Sequence, residues 1–437
     1  MARYWIALGA VAALLVGGCV QRVAQQSGTT GPAGGGGGVE LILFTWTEVT
    51  EVQANQQLLA EFEQAHPGVK VRLQNIPGSG EAMQKLQTMM AAGEAPDVMS
   101  IHGAYHLSFA ARGVLAPLDQ LAGQDAEFNL ADFYPGLLDI CRYQEKLYSL
   151  PRYTSVYALF YNKARFDAAG VPYPGSRGQW TWDDYLQAAQ RLTRDTNGDG
   201  RPDEWGTYID FWGSRIYPWL WQNGADLMNA DRSRCVVDSP EAVEALTFLS
   251  DLRLKRKVAP PTTSGERNEG LDLFAQGKLG MYITGPWDVQ TLKGQAGLQW
   301  DVAPLPVRKQ AATLLGTENY AISATSKHPQ EAWELFKFLL SARSQQYMAE
   351  QLEKMPSRRS VAEGPYMQQA TYNRRAFVEA LSYAQAAPNI PEWDQISHYV
   401  QDQLDLIWAG QKSPAEGLRQ AASDVNRALA ELRKRGG

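Results

Sequence analysis

Strand-like segments alternate with amphipathic helical segments between residues 40 and 101, and this alternation constrains the fold more than any other feature of the sequence. The pattern predicts strands at 40–44, 69–73 and 97–101 and helices at 49–66 and 81–92. Two consecutive βαβ crossovers place their strands side by side in the same direction. The run therefore predicts a parallel sheet in an α/β fold.

The chain continues as a mixture of strands and helices. Further strands are expected at 148–150 and 157–161. Further helices are expected at 181–193, 239–255, 330–340, 396–408 and 415–435. Its length and apolar content are sufficient for two lobes with separate cores.

The segment 274–288 combines a helix end, a short strand and an indole. Gly277 suits the left-handed cap of a helix because it has no Cβ atom. The apolar residues 279–283 follow as a strand covered on both faces, and Gly285-Pro286 ends that strand because proline lacks an N–H donor. Trp287 is therefore expected just beyond a strand end, where α/β sheets bind ligands. The alternative interpretation of Trp287 is core packing.

These residues also carry a resemblance to a known family. The segment FAQGKLGMYITGPWD at 274–288 is similar to the signature of family 1 extracellular solute-binding proteins, the maltose-binding-protein-like sugar receptors of bacterial ABC importers. Similar motifs follow in the family's order over nearly the whole mature chain: APDV at 95–98, GVLAPL at 113–118, LYSLP at 147–151, FYNK at 160–163, WTWDD at 180–184, GTENYAIS at 316–323 and MPSRR at 355–359.

The resemblance implies a two-lobed periplasmic-binding-protein fold of type II. Each lobe would hold a mixed, mostly parallel sheet flanked by helices, with a ligand cleft between the lobes. Lobe one would comprise 40–153 plus 322–355, and lobe two 154–321 plus 356–437. The chain would cross between lobes near Pro151 and Gly316, which would permit hinge closure on a ligand.

The N-terminus predicts export and lipidation. An apolar run from Tyr4 to Val16 follows Arg3 and is too short to span a bilayer comfortably, as in a signal peptide over 1–18. Cys19 follows small residues, which is typical of a bacterial lipoprotein cleavage site; an ordinary signal peptide with an incidental cysteine is the alternative. Residues 19–39 contain five successive glycines, so we expect a flexible tether. The protein would be extracytoplasmic and held at a membrane by its lipid only.

Charge and cysteine content exclude other classes. The net charge is −6 without a basic cluster, which argues against nucleic acid as a partner. Beyond Cys19 only Cys141 and Cys235 remain, too few for a disulfide framework. We do not expect these two to pair, because the resemblance places them in different lobes.

Aromatic residues favour a sugar ligand, because pyranose faces stack on indoles while hydroxyl edges need charged or amide partners. Several aromatic residues lie in predicted turns rather than on periodic apolar faces, whereas Trp180, Trp182, Trp333 and Trp408 fit packing positions. By the resemblance, the loops that face the cleft contain Trp46, Glu48, His102, Tyr105, Trp287, Glu318, Asn319, Tyr320 and Trp393.

An acidic glycine-rich loop gives two interpretations. Asp195, Asn197 and Asp199, followed by the Arg201 carbonyl, have the spacing of the first half of an EF-hand calcium loop. The twelfth position is glycine rather than glutamate, so Asp203 or its neighbour would have to substitute. The sequence is equally compatible with a metal-free turn. Any calcium would be structural, and no cofactor is otherwise expected to be required.

The function expected is capture of a sugar or oligosaccharide, without catalysis, by a monomer that delivers it to the transmembrane subunits of an ABC permease. A binding protein for glycerol-phosphate, a polyamine, a metal chelate or another small solute stays open, because arginines and carboxylates also occur near the expected cleft. A secreted glycoside hydrolase is the enzymatic alternative, since it needs only two carboxylates. The helix-rich C-terminal third does not fit its expected eight strand–helix repeats.

Overall fold

A computed structural model describes residues 38–47, 49–210, 213–261, 268–368 and 371–436. The predicted signal peptide, Cys19, nearly all of the predicted tether, and Glu48 of the expected binding set lie outside these described residues. In the part of the chain that is described, no helix is long and apolar enough to cross a membrane.

The predicted βαβαβ run is present. It consists of β1 (Val39–Thr45), α1 (Val49–Ala65), β2 (Val69–Asn75), α2 (Ser79–Ala91) and β3 (Val98–His102). The central strand β1 pairs in parallel with both β2 and β3, as the crossover argument requires. Its first residue is the last residue of the predicted tether, so the sheet begins one residue earlier than expected.

The remaining elements follow in chain order. The further strands are β4 (Arg142–Tyr143), β5 (Lys146–Leu147), β6 (Leu150–Val156), β7 (Ala158–Asn162), β8 (Met281–Thr284), β9 (Trp300–Ala303), β10 (Thr313–Ile322) and β11 (Ala384–Ala386). The helices up to the signature segment are α3 (His106–Ala111), α4 (Asp119–Gln124), α5 (Pro135–Ile140), α6 (Lys163–Ala169), α7 (Trp182–Leu192), α8 (Tyr217–Gln222), α9 (Pro240–Leu254) and α10 (Glu269–Ala275). The later helices are α11 (Val289–Lys293), α12 (Pro329–Leu339), α13 (Ala342–Leu352), α14 (Arg359–Val361), α15 (Arg375–Ala380), α16 (Trp393–Ile396), α17 (His398–Trp408) and α18 (Pro414–Gly436).

Two sheets organise these elements. The larger has the order β11-β10-β3-β1-β2 with β6 beside β10, and it is mixed, because β10 runs antiparallel to β3 and β6. The smaller has the order β8-β7-β9. Both of its pairings are antiparallel, which corrects the expectation of a mostly parallel second sheet. Long helical excursions separate β7 from β8 and β9, so no direct βαβ crossover fixes their direction.

Three extended segments lie side by side where the chain passes from one sheet to the other. They are β6, β10 and the segment around Met355 and Pro356. Strand β6 leads directly into β7 of the smaller sheet and pairs with β10 from Leu315 to Tyr320. The third segment lies beside β6, where the Thr154 N–H donates to the Met355 carbonyl at 3.0 Å. The chain therefore passes from the larger sheet to the smaller sheet where β6 is followed by β7.

Separate apolar clusters cover the two sheets. Trp333 and Cys141 lie in a cluster on the larger sheet, whereas Trp182, Trp408 and Cys235 lie in a cluster of helices beside the smaller sheet. The packing assignment of these indoles is confirmed, as is that of the half-buried Trp180. Both cysteines are buried and free, which agrees with the expectation that they do not pair.

The amide of Asn426 on α18 ties the C-terminal helix to the loop before α9. It accepts a hydrogen bond from the Cys235 N–H at 2.8 Å and donates one to the Cys235 carbonyl at 3.0 Å. Both backbone groups of this buried cysteine therefore depend on one side chain, because a buried N–H or C=O without a partner is costly.

We expect Asn426→Ala to lower the free energy of unfolding by about 1–3 kcal/mol, since two buried backbone groups lose their partner. Urea denaturation of the purified mature protein measures this change. Gln420→Ala, at an exposed position of the same helix, is the control and should change stability by less than about 0.5 kcal/mol. Equal effects of the two substitutions would contradict the bracing role of Asn426.

Candidate functional site

Trp287 lies on a short turn immediately after β8, where the sequence places it. Trp287 is 44% exposed, which is unusual because most of the tryptophans among the described residues are buried. The Tyr157 ring meets it edge-on, with ring centroids 5.5 Å apart and an angle of 80° between the planes. The indole thus combines a supported edge with an accessible surface.

The guanidinium of Arg215 packs beside both rings. Its central carbon lies 4.5 Å from the centroid of Tyr157 and 5.6 Å from that of Trp287. Its Nε atom pairs with a carboxylate oxygen of Asp210 at 3.0 Å. Burial by itself lowers the pKa of Arg215, but Tyr157 and Asp210 raise it above the ordinary arginine value. A charged, hydrogen-bonded cation therefore lies beside the exposed indole.

Asp288 lies on the other side of the same turn and accepts a hydrogen bond from Thr284 Oγ1 at 2.5 Å. Burial raises the pKa of Asp288 to about 6. The hydrogen bond from Thr284 and the charge of Arg215 oppose that rise, whereas the charge of Asp210 adds to it. The carboxyl therefore titrates in the mildly acidic range.

A second group of side chains lies at one edge of the larger sheet. Trp46 follows β1, His102 ends β3 and Tyr105 follows it, so the parallel strands bring them together at their carboxyl ends. The ring centroid of His102 lies 5.9 Å from that of Trp46 and 6.2 Å from that of Tyr105.

Surrounding protein desolvates His102, although the residue is exposed to solvent. Desolvation lowers the pKa of His102, whereas the Glu318 carboxylate raises it. The Nδ1 atom accepts the Ala104 N–H at 3.2 Å. Among the described residues Trp46 Nε1 is buried and has no hydrogen-bond partner.

Glu318 lies opposite His102 in the antiparallel pairing of β10 with β3. Its carboxylate accepts a hydrogen bond from Ser100 Oγ at 2.8 Å and lies 3.1 Å from Arg152 Nε. The buried Arg152 also pairs with Glu51 of α1. Glu318 is therefore held in place by neighbours on two different elements, β3 and β6.

Three residues expected at the cleft are buried in this structure. Asn319 and Tyr320 are buried, and the Tyr320 hydroxyl accepts a hydrogen bond from Arg152 Nη1 at 2.8 Å. Trp393 is buried among the helices beside the smaller sheet. For Asn319 and Tyr320 the reason is that β10 is covered on both faces, so that alternation along the strand does not expose its polar residues.

A chain of neighbours connects the two groups. Asp394 lies near Tyr105 and, together with burial, raises its pKa. The adjacent Trp393 lies near Tyr217, which lies near Tyr157 and so leads to the edge of the Trp287 indole. Neighbouring residues thus link the group around His102 to the group around Trp287.

Asp394 adds an acceptor to this region. Burial raises its pKa, while Ser108 and Arg112 on the α3 side oppose the rise. Its Oδ1 atom is buried and lacks a partner among the described residues. A carboxylate oxygen and an indole N–H are therefore both buried without a hydrogen-bond partner among the described residues.

Sequence reasoning did not select Tyr157, Arg215, Asp288 or Asp394 as candidates. Asp394 had a signal, because it directly follows Trp393 and combines a carboxylate with an aromatic residue. Asp288 had one too, since it follows Trp287. Tyr157 reads as an ordinary strand residue and Arg215 as a lone surface cation, so only the folded structure brings them to Trp287.

The acidic loop is folded by its own side chains. Asp195 accepts hydrogen bonds from the Gly198 and Gly200 N–H groups at 2.7 and 2.8 Å. Asp203 accepts two from Thr196. Among the described residues no group of three or more His, Cys, Asp or Glu side chains is arranged to hold a metal ion. A structural calcium ion at Asp195, Asn197, Asp199, Arg201 and Asp203 stays a prediction.

Comparisons with known proteins extend this description. The profile of the family described as bacterial extracellular solute-binding protein matches residues 46–346. The galactooligosaccharide-binding protein of Bacillus subtilis is 25% identical over 387 residues, which cover 87% of each chain. An ABC substrate-binding protein from Listeria monocytogenes, solved with cycloalternan, superposes with a TM-score of 0.82 at 27% identity, covering 90% of this chain and 99% of that one.

A third relative is the GacH receptor of Streptomyces glaucescens, solved unliganded and with acarbose. It superposes with a TM-score of 0.78 at 29% identity and covers 91% of this chain and 99% of its own. These structures are type II periplasmic binding proteins, which confirms the predicted fold class with its cleft between two lobes.

The raised pKa of Asp288 predicts a pH dependence of stability. At pH values between 3.8, the ordinary pKa of an aspartate, and about 6, the Asp288 carboxyl keeps its proton in the folded protein and loses it in the unfolded chain. The contribution of the protonated Asp288 carboxyl to the free energy of unfolding is therefore complete below about pH 4 and is lost as pH rises through about 6. Asp288→Asn has no carboxyl group to ionise. The free energy of unfolding of this variant, relative to that of the parent, should therefore rise by about 2 kcal/mol from pH 4 to pH 7.

Urea denaturation at several pH values measures this difference. The groups that face Asp288 are Thr284, Tyr282, Arg215 and Asp210, and the substitution leaves all four in place. Asp272→Asn, at an exposed position of α10, is the matched control and should give no such trend. A difference between Asp288→Asn and the parent that stays constant with pH would contradict the assignment.

Proposed function

We propose that this chain, which belongs to the family of bacterial extracellular solute-binding proteins, captures a sugar or oligosaccharide and delivers it to the permease of an ABC transporter. The family is one of sugar-binding transport receptors and not of enzymes. The observation that carries the proposal is the exposed indole of Trp287 beside the Tyr157 ring and the Arg215 guanidinium.

The chemistry of the site suits a carbohydrate. A pyranose ring has an apolar C–H face that stacks on an indole, and Trp287 offers such a surface at the rim of a strand end. Its hydroxyl groups need donors and acceptors, which His102 and Glu318 at the edge of the larger sheet would supply. The relatives point the same way, since one is named for galactooligosaccharides and two were solved with cycloalternan and acarbose.

Capture would involve closure of the two lobes about the three extended segments. We assign lobe one to 40–153 plus 322–355 and lobe two to 154–321 plus 356–437, with the solute held between them. Trp46, His102 and Tyr105 would bind it from lobe one and Trp287 from lobe two, while Glu318 would bind it from β10, three residues before the end of the first part of lobe two. Glu48 belongs to the same proposal on the resemblance alone, because it lies outside the described residues. The closed monomer would then dock on the permease.

Charged solutes fit the site less well. The cation nearest Trp287 is Arg215, and its pairing with Asp210 leaves it less able to attract a phosphate. A polyamine would need ionised carboxylates around the indole, but the half-buried Asp288 has a pKa that desolvation raises to about 6. Glycerol-phosphate and polyamine binding therefore serve as outcomes that the ligand screen distinguishes from sugar binding.

A thermal-shift screen tests the ligand class, because a ligand that binds only the folded state raises the melting temperature. The panel contains maltotriose, galactobiose, diacetylchitobiose, glycerol-3-phosphate and spermidine. We expect an oligosaccharide to stabilise the protein and Trp287→Ala to weaken its binding at least about tenfold in calorimetry. Leu254→Ala removes an apolar side chain of similar exposure (42%) and should leave binding unchanged. Stabilisation by glycerol-3-phosphate or spermidine alone would contradict the sugar assignment.

We also propose that the mature protein is anchored outside the cytoplasm through an acylated Cys19. In cells grown with a labelled fatty acid, the full chain should carry the label and sediment with membranes. Cys19→Ser should lose the label and become soluble in the exported fraction. Cys141 and Cys235 remain in that variant, so a persistent label would assign the lipid elsewhere and contradict the proposal.

A further inference from the structure

Gly285 is a glycine that its backbone does not require. Its φ of −126° and ψ of −173° are those of extended backbone, which any residue adopts. It also precedes Pro286, and residues before proline favour this same region. The need for glycine must therefore come from the space around its missing side chain.

That space is filled by Trp287. A Cβ atom at Gly285 would lie 2.2, 2.3 and 2.7 Å from the Cζ3, Cη2 and Cε3 atoms of the indole. These distances are far below any tolerated contact between carbon atoms. The six-membered ring of the indole thus lies directly against the Gly285 backbone, in a position that exists only because no side chain is there.

The turn has little freedom to relieve such a clash. Pro286 is buried and fixes its own backbone angle. Thr284 Oγ1 bonds to Asp288 at 2.5 Å, and the Asp288 N–H bonds to the Gly285 carbonyl at 3.3 Å. Because the backbone is held on both sides of the indole, the ring would have to move, away from Tyr157 and Arg215.

We propose that Gly285 is a positioning residue for sugar binding, since it sets the place and tilt of the Trp287 indole. Gly285 supports one side of the ring, Tyr157 meets it edge-on, and the accessible remainder receives the solute. The inference rests on the proposed function for its consequence, but the contact between Gly285 and Trp287 is a property of the unliganded protein. It can therefore be tested without a ligand.

A double-mutant cycle tests the contact. Melting temperatures are measured for the parent, Gly285→Ala, Trp287→Ala and the double variant. We expect Gly285→Ala to lower the melting temperature by a few degrees, since overpacking is destabilising. In the Trp287→Ala background the same substitution should cost nothing, because the atoms that it strikes are gone. A general requirement for glycine in the turn would give the same loss in both backgrounds.

The control substitution is Gly294→Ala at the end of the following helix. Its φ is −74°, and its new Cβ atom would lie 3.4 Å from its nearest non-adjacent neighbour, the Thr291 carbonyl oxygen. The substitution should therefore leave the melting temperature nearly unchanged. If Gly285→Ala fails to fold, the double variant decides. Recovery of the folded protein supports the proposal, and failure of both variants overturns it.

Binding is then measured by calorimetry with maltotriose, galactobiose and diacetylchitobiose. Gly285→Ala should weaken binding of whichever of these sugars the parent binds by about tenfold, and the double variant should bind no worse than Trp287→Ala alone. Unchanged affinity in folded Gly285→Ala would overturn the positioning role. If the parent binds none of the sugars while the stability cycle behaves as expected, the contact stands and the sugar-binding proposal fails.

Discussion

The antiparallel pairing of β6 with β10 is the interaction on which the rest of the structure depends, because it carries the chain between the two sheets. The guanidinium of Arg152 is buried in that pairing and contacts Glu318, Tyr320 and Glu51. A buried cation is tolerated only when carboxylates and hydrogen-bond acceptors surround it. The same requirement that anchors the crossing strand therefore also holds Glu318 at the edge of the proposed cleft.

The proposed site combines a rigid aromatic surface with polar side chains that would hydrogen-bond a solute. Trp287 is fixed by Gly285 and Tyr157, and its neighbours Arg215 and Asp210 satisfy one another. On the larger sheet, Trp46 Nε1 has no partner among the described residues, which is unusual for a buried donor. Such a surface favours a ligand with both an apolar face and hydroxyl groups.

Much of the architecture was predictable because it depends on local patterns. The run from β1 to β3, the end of α10 near Gly277 with its φ of +75°, and Trp287 just after β8 all follow from spacing and turn chemistry. The exposure of residues on β10 was not predictable. Asn319 and Tyr320 adjoin Glu318 in sequence, but covering layers on both faces bury them, and Trp393 is buried by helices whose packing leaves no local signal.

The sequence by itself determined the fold class, the order of the elements and the prominence of one indole, because hydrophobic periodicity and glycine or proline breaks act over a few residues. Only the tertiary structure decided that the smaller sheet is antiparallel and that Tyr157, Arg215 and Gly285 surround Trp287. Residues far apart in the chain become neighbours through packing, and close packing tolerates a Cβ atom at one position and excludes it at another. Whether a side chain fits at a given position depends on three-dimensional distances, which a linear pattern does not contain.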